Sequence, residues 1–271
     1  MDNNNFLNVA TIQMVSGLNY QDNLDAAEAL IKEAAANGAD LAILPEFFIR
    51  IADARDDVFK NITEELGNGK VQQRLQNIAR ENNIALVAGT LPIKTDNDCK
   101  CYNTALVYDN NGNLICHYHK IHLFKFESSK LKFDEGCTFK AGHEVITFKI
   151  KDFTCGLAIC YDLRFPEMFR KMKHIDAIII PAAFLYHTGQ DHWEILLRAR
   201  AIENQCYVVA SGQGGMHENG RHTFGHSMII DPWGKVMKIL KHGPGVISET
   251  LDKKHIAEIR TQLPALDNRV L

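Results

Sequence analysis

The sequence predicts an α/β protein built around parallel strands, and three observations carry that prediction. First, an apolar run, an amphipathic segment and a second apolar run follow one another near the N-terminus, which is the pattern of a βαβ unit. Second, apolar runs of strand length alternate with segments of helical spacing along most of the chain. Third, several apolar runs end abruptly at a polar residue, and parallel sheets gather their chemistry at the carboxyl ends of strands. No low-complexity linker or charge block divides the 271 residues, so a single domain spanning 1–271 is expected.

Residues 7–13 read as a short β-branched strand, and 23–36 as a helix stopped by Gly38. Residues 41–45 form a buried strand that ends directly at Glu46. A second amphipathic helix over 71–83 leads into a third apolar strand, 84–90. Strands 103–108 and 114–119 pair across Asp109-Asn-Asn-Gly-Asn113, a strong turn signal, and the second arm delivers Lys120. The polar segment 125–142 reads as an irregular loop, long enough to be functional. Strands 145–150 and 153–159 form another hairpin over Lys151-Asp152 and deliver Cys160. Residues 165–173 are helical after Pro166, 176–181 a strand, 191–204 a helix and 206–211 a strand. Strands 225–230 and 235–240 pair across Asp231-Pro-Trp-Gly234, with Pro and Gly where a tight turn takes them. Residues 246–251 make a final strand and the remainder a tail.

Composition narrows the function. The chain is 46% hydrophobic and 23% charged with a net charge of −3, so no global field favours nucleic acid or an anionic membrane. Met1-Asp2-Asn3-Asn4-Asn5 has neither the basic nor the apolar region of a secretory signal. No stretch reaches the apolar length of a membrane span; the richest, 178–185, is interrupted by Pro181. The seven cysteines (99, 101, 116, 137, 155, 160 and 206) include no CxxC pair, which favours reduced thiols and a cytoplasmic location. Cys155 is expected in the core, and Cys99 and Cys101 on an exposed loop. Phe6, Phe47, Met168 and Met228 are expected core residues.

Three strand ends carry complementary chemistry. A thiol at the end of the 153–159 run sits where N–H groups of the following turn can face it and lower its pKa. A thiol nucleophile needs a base, which Glu46 can supply. Attack on a carbonyl needs donors for the oxyanion, which Lys120 and the Tyr161 N–H can supply. Spacing alone leaves other readings open: Cys160 as a small buried hydrophobe, Glu46 as a first-turn helix carboxylate, Lys120 as a solvated loop lysine.

Leu44-Pro-Glu46, His119-Lys120-Ile-His-Leu-Phe124 and Cys160-Tyr-Asp-Leu-Arg-Phe-Pro-Glu167, in this order, resemble the nitrilase superfamily of carbon–nitrogen hydrolases. The resemblance implies a four-layer α-β-β-α sandwich, a homodimer, and no metal or organic cofactor. It implies Glu46 as general base, Lys120 as oxyanion stabiliser, Cys160 as nucleophile and, in the loop after the lysine, Glu135 as second glutamate. The later segments Pro181-Ala-Ala-Phe184, His187-Thr-Gly189 and His217-Glu-Asn-Gly-Arg221 resemble the branch acting on deaminated glutathione and, less closely, ω-amidases. That branch implies a short 2-oxo acid monoamide substrate, contacted by Tyr161, Arg164, Phe184 and Thr188. Arg221 is an arguable reader of a glycyl carboxylate, whereas Arg198 and Arg200 suit structural ion pairs. Tyr186-His187 and Phe47-Phe48 are candidate pocket walls.

Two rival classes stand against this reading. His117, His119 and His122 crowd together, but no carboxylate or cysteine stands at metal spacing and Lys120 lies among them, so no metal is expected. A non-catalytic binding protein on the same fold is disfavoured, because every candidate catalytic position holds a competent residue type.

Overall fold

The computed structural model describes residues 3–51, 59, 61–96, 99–127 and 132–270. The chain opens with β1 (Phe6–Gln13), α1 (Tyr20–Ala36), β2 (Leu41–Ile43), α2 (Lys70–Glu81) and β3 (Ala85–Val87). These give three adjacent parallel strands, as the opening pattern predicts. Asn19 starts α1 by accepting the Gln21 N–H, and Leu24, Ala27, Ile31 and Ala34 make its buried stripe.

Next come β4 (Leu91–Lys94), β5 (Cys101–Tyr108) and β6 (Leu114–His119), all antiparallel additions. The hairpin β7 (Lys125–Glu127) and β8 (Lys132–Asp134) follows, then β9 (Thr147–Ile150) and β10 (Phe153–Leu157). The second half holds α3 (Pro166–Lys171), β11 (Ala177–Ala182), α4 (Tyr186–Asn204), β12 (Tyr207–Gly212), β13 (Gly214–Met216) and β14 (His222–Phe224). It closes with β15 (Ser227–Ile230), β16 (Val236–Leu240), β17 (Gly245–Asp252) and α5 (Lys253–Gln262).

Two sheets result. One runs β17-β1-β2-β3-β5-β4 with β6 on β5; the other runs β16-β15-β12-β11-β10-β9. The period of two along β1 divides its side chains between two cores. Leu7 and Val9 join Leu157, Ile179 and Val209 between the sheets. Ala10 and Ile12 face the other way and pack with Leu24, Ile31, Leu75 and Ile78 of α1 and α2. Trp193, Leu197 and Ala201 of α4 cover the outer face of the second sheet. With both faces covered, Ile178, Ile179 and Ile180 are all buried, as parallel strands require. The architecture is therefore the α-β-β-α sandwich implied by the resemblance.

The structure corrects several expectations. Residues 253–262 form α5 rather than a tail, because Asp252 caps the helix and Ile256 and Ile259 are buried. Arg260 then ties α5 down by donating to the carbonyls of Ile175 and Gln205. Helix α4 starts at Tyr186, five residues ahead of the expected 191. The 125–142 loop contains the β7–β8 hairpin and a 3-10 turn at Glu135–Cys137, with 128–131 outside the described residues. Phe6 is 46% exposed at the tip of β1 rather than in the core. Cys101 is buried on β5, whereas Cys99 is exposed.

Candidate active site

Glu46 follows β2, where the Leu44 N–H still bonds to the Val87 carbonyl before the chain turns away. The turn passes Gly89, whose φ is +44° and whose added Cβ would lie 2.2 Å from the Pro45 carbonyl oxygen, so only glycine fits there. Lys120 follows β6, its N–H held by the Asn103 carbonyl at 2.9 Å. Glu135 lies at the 3-10 turn after β8 and exchanges backbone and side-chain hydrogen bonds with Phe124. Cys160 follows β10 at a φ of +48°, a strained setting for a non-glycine residue.

These four strand and turn ends meet. Lys120 Nζ is 2.8 Å from Glu46 Oε1. It is also 3.0 Å and 2.9 Å from the two carboxylate oxygens of Glu135. Both side chains of the Lys120–Glu46 pair are at most 1% exposed. Two ammonium hydrogens are thus engaged by glutamates and the third remains for a developing oxyanion. Burial by itself would drag the Lys120 ammonium down, but Glu135 and Glu46 hold its pKa well above the usual lysine value. Burial pushes Glu135 up against the pull of Lys120.

The Cys160 thiol departs from the sequence expectation. Burial, then the Glu46 carboxylate, push its pKa well above the ordinary thiol value, outweighing Lys120 and the Ala183 N–H. The segment after it is a five-residue 3-10 turn rather than a long helix, and no strong dipole compensates for the desolvation. The resting nucleophile therefore keeps its proton, and a nearby base must remove it.

A cleft opens over this cluster, lined by Glu46, Glu135, Cys160, Phe124, Ala183, Leu185 and Arg221 and by all four expected substrate residues, Tyr161, Arg164, Phe184 and Thr188. The Arg164 guanidinium lies 5.1 Å over the Phe184 ring and 5.8 Å over the Tyr161 ring, a cation held in place between aromatic faces.

Residues 8–261 match the carbon-nitrogen hydrolase family. The chain belongs to the carbon-nitrogen hydrolase family. It is 38% identical to a deaminated glutathione amidase of Synechocystis sp. over 96% of this chain and 97% of that one. It is 34% identical to the Mus musculus omega-amidase NIT2 over 96% of this chain and 94% of that one. Among solved structures, Saccharomyces cerevisiae Nit3, a member of the nitrilase superfamily, superposes with a TM-score of 0.87 at 30% identity, covering 98% and 97% of the two chains. The protein is accordingly a hydrolase acting on carbon–nitrogen bonds.

In this carbon-nitrogen hydrolase the sequence singled out the reactive groups and missed what holds them. Asn103 Nδ2 donates to Glu46 Oε1 at 2.9 Å, and the Ala183 N–H donates to Glu46 Oε2 at 3.0 Å. Asp162 Oδ2 accepts from the Ile159 N–H and the Tyr118 hydroxyl, while Oδ1 accepts from the His122 N–H and meets His122 Nδ1 at 2.7 Å. Asp162 thus locks the Cys160 turn to the Lys120 segment. A signal existed: Tyr118 and His122 flank Lys120 by two residues, and Asp162 follows Cys160 by two.

Two of the three histidines that crowd around Lys120 are otherwise engaged. His119 stacks on Tyr102 and meets Thr104, while His122 stacks on Phe165 and meets Asp162. Among the described residues no cluster of three potential ligands exists. Arg200 is structural as expected, spanning the Leu163 carbonyl and Glu203, and Arg198 likewise bonds Gly234 and Glu194. Phe47 and Phe48 are buried in the core beside α1 and α2 and do not line the cleft; Tyr186 and His187 line a neighbouring chamber.

Proposed function

We propose that this hydrolase cleaves the amide of a short 2-oxo acid through a Cys160 thioester, with deaminated glutathione as substrate and 2-oxoglutarate and cysteinylglycine as products. The observation that carries the reading is the buried Glu46–Lys120–Glu135 cluster beneath Cys160, with Arg164 on the wall of the same cleft. Arg164 and Thr188 take the 2-oxo acid carboxylate, with Phe184 and Tyr161 fixing the guanidinium.

In the first half-reaction Glu46 takes the Cys160 proton as sulfur attacks the amide carbon. The oxyanion is held by the free Lys120 hydrogen and the Tyr161 N–H. Glu46 then delivers the proton to the departing nitrogen, the C–N bond breaks and the thioester remains. In the second, Glu46 takes a proton from water, hydroxide adds to the thioester, the C–S bond breaks and the proton returns to sulfur. Asn103 and the Ala183 N–H fix the Glu46 carboxylate for both transfers, and Glu135 positions Lys120. No metal or cofactor enters these steps.

The names of the relatives support two leaving groups. The test compares kcat/KM on deaminated glutathione and on 2-oxoglutaramate. A preference for the former is expected; a preference for 2-oxoglutaramate would reassign the protein as an ω-amidase, and activity on neither would remove the substrate assignment.

The same proposal takes the whole chain as one catalytic domain, acting in the cytoplasm as a homodimer. Among the described residues no helix is long and apolar enough to cross a membrane. On the outer face of α4, Ile195 and Ile202 are 69% and 51% exposed, with Trp233 at 58% in the adjoining turn; this is surface a second copy can cover. Sedimentation of wild type as a monomer at micromolar concentration would remove the dimer from the proposal.

A further inference from the structure

Beside the catalytic cleft lies a second chamber, and Leu185, Thr188 and Arg221 line both. We propose that this chamber is the leaving-group subsite, taking an amine that ends in a carboxylate, with Arg221 as the residue that reads that carboxylate. The inference rests on the function proposed above and goes further by assigning where the departing half of the substrate sits.

Three observations support it. The Arg221 guanidinium is unsaturated: among the described residues its one protein hydrogen bond runs from Nη2 to the Ala183 carbonyl at a long 3.5 Å, and no carboxylate pairs with it. Its Nε is buried with no partner, as is the Asn219 Nδ2 in the same chamber. Buried donors without acceptors are rare in folded proteins, and two on residues that line one chamber point to an acceptor that arrives with the ligand. Arg74, paired with Glu28 and Asp25, and Arg200, paired with Glu203 and the Leu163 carbonyl, differ, while Arg50 Nε also lacks a partner but lies outside the chamber.

The position of Arg221 also fits. Its guanidinium lies 5.0 Å over the Phe133 ring on the β7–β8 hairpin, which leaves its edge free for a planar bidentate partner. Tyr186 stacks on His222 at 4.0 Å to form another wall. Ammonia needs no such space. A dipeptide amine with a small thiol side chain and a terminal carboxylate uses the apolar walls and the cation together.

The test crosses a substrate change with a protein change. Deaminated glutathione and its analogue carrying a primary amide in place of the glycyl carboxylate are compared on wild type, Arg221→Lys and Arg221→Gln. Wild type is expected to prefer the carboxylate by about 10- to 100-fold in kcat/KM, chiefly through KM, as for one charge-assisted hydrogen-bond pair. In Arg221→Gln the two substrates should converge to within about 3-fold, with Arg221→Lys between. Equal use of both substrates by wild type, or undiminished preference in Arg221→Gln, would overturn the assignment. Inhibition of wild type by cysteinylglycine and by its C-terminal amide gives a readout independent of any variant; the amide should bind at least about 5-fold more weakly, and equal inhibition would likewise overturn it. Failure of wild type to hydrolyse either substrate would instead fall on the proposed function itself.

Discussion

Cys160 combines a strained backbone with a proton that burial and Glu46 hold more tightly than in water, and one neighbour, Asp162, ties down the turn that carries it. Asp162 collects four contacts from three residues, two of them beside Lys120. In Asp162→Asn one carboxylate oxygen becomes an amide nitrogen facing donors, and unsatisfied buried groups cost about 1–3 kcal/mol each. The variant is expected to unfold at lower urea concentration by about 2 kcal/mol and to lose kcat more than KM, because the nucleophile turn loosens while the Arg164 wall stays. Wild-type kcat in Asp162→Asn would contradict the positioning role. The four reactive residue types were legible because each ends or closely follows an apolar run, or falls in a loop placed by the resemblance. Asn103 was not, since nothing local to it reveals Glu46 nearly sixty positions away, and Asp162 was marked only by its place two residues after Cys160, which does not name its partners some forty positions back.

Elements were legible where periodicity is long and burial one-sided, as in α1 and the β5–β6 hairpin, and illegible where tertiary context decides. Strands β7 and β8 are three residues each and read as polar loop. Helix α5 reads as tail because its stability comes from Ile256, Ile259 and the Arg260 contacts rather than from its own sequence. Strand β6 carries a further consequence in His119, whose pKa is pushed down to about 4 by burial, with His117 and His143 adding repulsion. The unfolded chain protonates this group near 6.5, so between those values the unfolded state binds the extra proton. Stability therefore rises with pH through this window and is lost on acidification from about 6.5 toward 4. Thermal midpoints of wild type and His119→Gln across that range should converge as pH falls, because the variant lacks this loss; parallel curves would rule the group out.

At the scale of the whole molecule, two sheets share one core, and the catalytic groups sit where strands of both sheets end. Glu46 and Lys120 come from the first sheet, Cys160 and the Ala183 N–H from the second, so docking the sheets assembles the site. The α/β class was visible in the sequence, and the four layers came from the resemblance, because periodicity alone cannot say which sheet a strand joins. The central claim is a covalent thioester on Cys160, and hydroxylamine tests it most directly by competing with water for that intermediate. During turnover of deaminated glutathione, wild type is expected to divert product from 2-oxoglutarate to the matching hydroxamate as hydroxylamine rises, and Cys160→Ala to release no amine. Amine release without hydroxamate at any hydroxylamine concentration, or full turnover by Cys160→Ala, would contradict the account.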